Sequence, residues 1–334
     1  MKKFLGWCMC LGYALAGYWI GQQTEYIKTK SLKALLTTHS VVILCCLLAK
    51  LLGYQSSTWI YGWRLGAFFQ NPNAFGLFCV TAIIITLSFA KFSVIVHHCL
   101  IILSTLGILY SHSRTAVLLL FFILLTQKWW RQKISIPAGI IVGCLIFGFG
   151  YALPESLPLH FAPAYSDFVN RYHTNFIDHG AWDRIQSSLK GLKMWQAQPL
   201  TGIDLGGFLQ KQRNLGVKDF TELHSTYLWL LIETGVIGFL LMSALFVTLC
   251  KTFFTRIQTI SPHILAFRGI LITFAVAALV MEVLYQRYLW VFFGLALAHC
   301  GQSVTVKSVP IRSDDILDTN LQSASDPAQY PSAA

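Results

Sequence analysis

Apolar residues along this chain gather into long blocks instead of alternating with polar ones. Most blocks have the length an α-helix needs, about 17–25 residues at about 1.5 Å each, to cross a hydrocarbon core about 30 Å thick. They fall near 4–20, 32–52, 74–90, 92–110, 115–127, 134–153, 225–250, 264–284 and 287–300, which predicts roughly nine spans. Closed barrels are excluded, because their strands alternate polar and apolar residues over about ten positions. The predicted fold is all-α: a polytopic transmembrane helix bundle with one large polar loop. The chain divides into N-terminal membrane helices (1–153), that loop (154–224), C-terminal membrane helices (225–300) and a tail (301–334) rich in Ser, Asp, Gln and Pro, which reads as a disordered cytoplasmic extension.

Inside the loop the period changes. Ile185, Leu189, Leu192 and Trp195 recur at helical spacing between Trp182 and Gln196, with Asp183 near the positive start and Pro199 beyond the end. This predicts an amphipathic helix lying against the bundle or the membrane surface. Gly202, Gly206 and Gly207 follow as an expected flexible turn.

Composition agrees with a bilayer as the solvent: 55% of the 334 residues are hydrophobic and only 12% charged, with a mean hydropathy of +0.58. The formal charge of +11 does not point to nucleic acid, because most of the cations occupy short loops between apolar blocks and so report topology. Lys128, Arg131 and Lys133, with Trp129 and Trp130, mark a cytoplasmic loop. Counting outwards from it puts 251–263, Lys91 and the segment of Lys28, Lys30 and Lys33 inside. The loops 53–73, 111–114, 154–224 and 285–287 then lie outside. The first block begins outside despite Lys2 and Lys3, which suggests a block that does not span or a helix preceding this sequence. A signal peptide is disfavoured, since no convincing small-x-small cleavage site precedes Gly21. All nine cysteines fall in apolar blocks, so neither a disulfide framework nor a zinc site is expected.

On the predicted outer side stand Arg64, Arg114, Arg184 and His224. Ionisable groups at a span's edge are costly to bury and are candidates for function. A lone arginine there is explained by snorkelling to headgroups, whereas three on one side suit a diphosphate, which a guanidinium fork binds with paired hydrogen bonds. A neutral imidazole at the mouth of a span can accept a proton from an attacking hydroxyl, although an interfacial cap is the commoner role for a histidine. Glu233, nine residues on, is expected deep in the membrane beside a polar group of the bundle. Asn71-Pro72-Asn73 reads as a helix start, with asparagine as cap and proline in the first turn. No HExxH pattern or other metal spacing appears.

Taken in order, these elements resemble the O-antigen ligase and polymerase superfamily: Arg64 with Asn71-Pro72-Asn73, Ser113-Arg114, Arg184 ahead of Pro199-Leu200-Thr201-Gly202, and His224 with Glu233-Thr234-Gly235-Val236-Ile237-Gly238. Two departures stand out: Ser225, where many members carry asparagine, and fewer spans before the first arginine. The resemblance implies an inverting, metal-independent glycosyltransferase of the bacterial inner membrane, without a cofactor. Its donor would be an undecaprenyl-diphosphate-linked glycan held by Arg64, Arg114 and Arg184, and its catalytic base His224. The acceptor would be lipid A-core in a ligase or a growing glycan in a polymerase. From another class, a lipid-linked sugar transporter or flippase would use the arginines to select an anionic headgroup, but no clear internal repeat supports it.

The topology predicts that, in spheroplasts, an impermeant thiol reagent labels a cysteine introduced at Ser166 and spares one at Ser325. The reverse pattern would overturn the assignment.

Overall fold

The computed structural model describes residues 2–53, 60–61, 64–69, 71–89, 93–131, 179–215, 222–251, 254 and 262–305. Ten helices are present in them: α1 (Lys2–Gln22), α2 (Glu25–Leu51), α3 (Pro72–Ser88), α4 (Val94–Ser111), α5 (Arg114–Arg131), α6 (His179–Trp195), α7 (Gly207–Asn214), α8 (Thr226–Lys251), α9 (Pro262–Ala277) and α10 (Arg287–Thr305). Two short strands, β1 (Ile60–Tyr61) and β2 (Arg64–Leu65), pair antiparallel between α2 and α3. Eight of the nine apolar blocks thus coincide with helices. The remaining block, 134–153, lies outside the described residues, as do the first part of the polar loop and the tail beyond 305.

Three segments, Glu25–Lys50, Val94–Ser111 and Thr226–Lys251, are each long and apolar enough to cross a membrane. Pro72–Ser88, Arg114–Thr126 and Pro262–Ala277 are apolar but shorter. These helices mark a membrane protein, and apolar side chains such as Val94, Ile95, Leu118 and Leu241 are exposed on its outside.

Helix α3 forms the centre. It is apolar on every side and nearly every residue is buried, as a helix surrounded by others must be; α4, α5 and α9 pack around it. Its start follows from its sequence, since the Asn71 side chain caps the Asn73 N–H and Pro72 occupies the first turn. Helices α4 and α5 begin similarly, with Ser93 accepting from Val96 N–H and Ser113 from Ala116 N–H.

Helix α9 is shorter than the apolar block 264–284, ending at Ala277. Backbone groups beyond it are drawn to the start of α8: Ala278 C=O accepts from Thr226 N–H and Met281 C=O from the Thr226 hydroxyl, which in turn accepts from Val283 N–H. Apolar composition cannot register this diversion, because the hydrogen bonds come from residues more than fifty positions away.

At the periphery α1 and α10 pack along one another. Gly17 faces the Val291 carbonyl and Gly294 the Ala14 carbonyl, and a Cβ at either position would run into that backbone. Small residues at a membrane helix crossing let backbones approach this closely. Gly294→Val should therefore lose about 1–3 kcal/mol of stability through forced separation. Gly12→Val, with nothing within 4 Å of the added atom, should change it by no more than about 0.5 kcal/mol. Thermal midpoints in detergent distinguish the two, and equal losses would contradict the packing account.

Candidate active site

Arg64 is tied down at the end of the bundle formed by the α4–α5 turn. Its Nε donates to the Ser111 carbonyl at 3.0 Å, and one terminal nitrogen donates to Asn73 Oδ1 at 2.8 Å and the His112 carbonyl at 3.5 Å. The last carbonyls of a helix lack intrahelical partners and attract cations, so the C-terminus of α4 is a natural seat for a guanidinium. The Asn-Pro-Asn element does double work here: Asn71 caps α3 and Asn73 fixes Arg64. His112 takes a left-handed conformation (φ 47°) that ends α4 and turns the chain into α5. Arg114 then stands exposed on the first turn of α5. Gly76 lets the turn approach α3, since a Cβ there would come within 2.8 Å of Ala116 Cβ and 2.9 Å of Ser111 Oγ. The N-termini of α3 and α5 therefore lie side by side, and both favour anions.

Burial first, and then the positive charges of Arg114 and Arg184, pull Arg64 below the ordinary guanidinium range. His112 is held down to about 3 by burial, with Lys50 and Arg64 adding to it, so its imidazole is neutral and too weak a base to take protons near neutral pH. Lys50, whose ammonium lies 4.8 Å from the centre of the Tyr110 ring, is a further cation of this corner. Sequence reasoning missed it, because a lone lysine ending an apolar block looks like a topology marker.

The second part of the site is built around a broken helix. α8 reads as one apolar block, yet Gly235 has φ 67° and ψ −174°, a region that only glycine occupies readily. The break opens the intrahelical pair Ile232 C=O and Val236 N–H, and the polar loop supplies both missing partners. Ile203 N–H donates to Ile232 C=O at 3.0 Å, and Val236 N–H donates to Pro199 C=O at 3.0 Å. Ile237 N–H adds a bond to Leu200 C=O at 3.2 Å. Gly202 (φ 76°) and Gly235 meet so closely that a Cβ on either would strike the other segment's backbone. Glu233 closes the joint, its Oε2 accepting from Gly206 N–H at 2.7 Å. Glu233 thus reaches the loop, which the sequence did not suggest, and the glycine turn is hydrogen-bonded into a joint with α8.

Helix α6 follows from the same joint. Gly191 packs on Ile232 and Leu223, and Arg184 lies two turns earlier, about 10 Å along the helix. His224, half-buried, is the residue after Leu223. Its segment is pinned by Ser225, whose hydroxyl bonds the Ala278 carbonyl at 3.3 Å and caps Leu228 N–H, and by Thr226. Tyr227 adds a bond to the Ala275 carbonyl at 2.9 Å. Nearby, burial and then the Glu282 and Glu233 carboxylates push Tyr285 above the usual phenol range. Glu282 was not singled out from the sequence, where it is one acid at the end of an apolar block. Among the described residues no group of three or more His, Cys, Asp or Glu is placed to hold a metal ion.

Residues 99–243 match the family model of O-antigen ligase. The matched stretch contains Arg114, Arg184, His224 and both halves of the loop–helix joint, while Arg64 and the Asn-Pro-Asn element precede it. No curated protein matches the chain.

The joint makes a specific demand at Gly235. Gly235→Ala should lose about 2–4 kcal/mol, combining a strained backbone with collision against Leu200. Gly53→Ala, at φ 73° but with open space around it, should lose only about 1 kcal/mol. Limited proteolysis should cut the 199–215 segment of the Gly235→Ala variant faster than that of the parent. An unchanged cleavage pattern would contradict the joint.

Proposed function

We propose, from the match of residues 99–243 to the O-antigen ligase family model, that the chain is a periplasmic-face glycosyltransferase of the bacterial inner membrane. It moves a glycan from undecaprenyl diphosphate to lipid A-core, the ligase-type reaction. The observation that carries this reading is that Arg64 feels the charges of both Arg114 and Arg184. A guanidinium under the charge of two further cations gains most when a dianion enters beside it, and a diphosphate is such a ligand.

In this reading the acceptor hydroxyl attacks the anomeric carbon from the face opposite the diphosphate. The bond from that carbon to the phosphate oxygen breaks, inverting the centre, and His224 takes the hydroxyl proton. Charge grows on the departing diphosphate as the bond breaks. Arg64, Arg114 and Arg184 offset it there, the electrostatic contribution that usually dominates in such steps. Arginines supply this without a metal. Arg64, anchored to Ser111, His112 and Asn73, fixes the orientation of the group.

In a reconstituted assay His224→Ala and His224→Gln should both lower turnover by about 10²–10⁴-fold, as expected for loss of a general base, with donor binding kept. Arg64→Lys, Arg114→Lys and Arg184→Lys should each weaken donor binding, because an ammonium lacks the bidentate fork. Wild-type turnover with an unchanged pH profile in His224→Gln would exclude the base, and normal donor affinity in all three lysine variants would exclude the diphosphate site.

A further inference from the structure

Helix α6 carries the N-terminal half of its apolar stripe on the side away from the protein. Ser187 and Gly191 are buried against the bundle, whereas Ile185 and Leu189 are each 50% exposed. Ser187, Gly191 and, at the C-terminal end, Met194 and Trp195 make the protein contact, and the N-terminal half of the stripe predicted from the sequence, Ile185 and Leu189, is left facing outwards. Beside it, Lys190 and Lys193 are exposed on the adjoining face.

The outward apolar surface is not confined to α6. Leu200 and Leu205 on the following turn are 62% and 53% exposed, and Leu200 is joined through its carbonyl to Ile237, the first of the outward-facing residues Ile237, Leu240, Leu241 and Leu245 of α8. Those residues lie on a helix long and apolar enough to cross a membrane, so the apolar surface of 185–205 continues the lipid-facing surface of α8. Charge points the same way. From the start of α6 to the end of α7, residues 179–214 contain Arg184, Lys190, Lys193, Lys211 and Arg213 against the two acids Asp183 and Asp204, although the whole polar loop 154–224 is balanced.

We propose that α6 and the turn after it are seated in the bilayer surface, with Ile185, Leu189, Leu200 and Leu205 in the acyl region and Lys190 and Lys193 on anionic headgroup phosphates. Continuity with the α8 surface selects lipid over a protein partner, and the excess of cations selects an anionic headgroup over a neutral one. The arrangement is that of an interfacial amphipathic helix, and it would hold Arg184 near headgroup depth. It rests on the chain spanning a membrane and not on the transfer chemistry.

The full chain, carrying a benzophenone amino acid at Ile185, Leu189 or Lys190, would be photolysed in nanodiscs of phosphatidylethanolamine and phosphatidylglycerol. Mass spectrometry would then identify the adducts. Lipid adducts should dominate at Ile185 and Leu189 and be severalfold fewer at Lys190. The double variant Lys190→Gln, Lys193→Gln should reduce the lipid adducts at Leu189 in these discs but not in discs of phosphatidylcholine alone. Adducts to another part of the chain, cross-linked dimers, or recovery without any adduct at Ile185 and Leu189 would overturn the proposal. An equal loss in both kinds of disc would overturn its anionic part. None of these readouts depends on catalysis, so a failure here leaves the glycosyltransferase reading to its own tests.

Discussion

An opened backbone hydrogen bond in a lipid-facing helix must find partners for both its halves, because an unpaired N–H or C=O there loses several kcal/mol. In this protein the opened pair is Ile232 C=O and Val236 N–H, and the partners come from Ile203 and Pro199 on the polar loop. Much of the arrangement at this end of the bundle follows from that exchange. It fixes where the loop lies, makes glycine necessary at 202 and 235, and gives the Glu233 carboxylate its place on Gly206. The Pro-x-x-Gly turn and the Glu-x-Gly segment, more than thirty residues apart in sequence, are the two surfaces of one joint.

The joint also explains how a long polar loop can present a side chain to membrane-edge chemistry. Loops move more readily than the elements they connect, yet Arg184 belongs to a helix packed through Gly191 on residues flanking the break. Leu223, one of those contacts, adjoins His224, whose segment is independently bonded to the 275–283 stretch through Ser225, Thr226 and Tyr227. On the other side of the site, Arg64 is held by α4 carbonyls and Asn73, and Arg114 by its position on a capped helix start. The charged groups are thus carried by packed elements, as the proposed transfer would require for positioning.

Much of the fold was legible in the sequence because membrane helices are written as continuous apolar length. Eight blocks lie on helices, and the Asn71 cap with Pro72 in the first turn was readable from chemistry alone. The break at Gly235 was not, since the apolar run continues through it without interruption, and a glycine is tolerated in many unbroken membrane helices. The early end of α9 and the bonding of Glu233 depend on partners far away in sequence. For α6 the stripe was visible but its direction was not: periodicity shows that one face is apolar, and only Gly191 packed on Ile232 reveals that the opposite face meets the protein. Lys50 and Glu282 were overlooked because each is a single charge beside an apolar block; the fold brings Lys50 near His112, whereas Glu282 stands three residues before Tyr285.

The claim on which this account turns is that residues 199–206 and 232–237 form one hydrogen-bonded unit. Residue-resolved amide hydrogen exchange on the protein in lipid tests it directly. The account predicts that the Ile203 and Gly206 amides are protected to a degree similar to Val236 and Ile237, and that all four lose protection together in Gly235→Ala. Rapid, loop-like exchange at Ile203 and Gly206 alongside protected Val236 and Ile237 would contradict it.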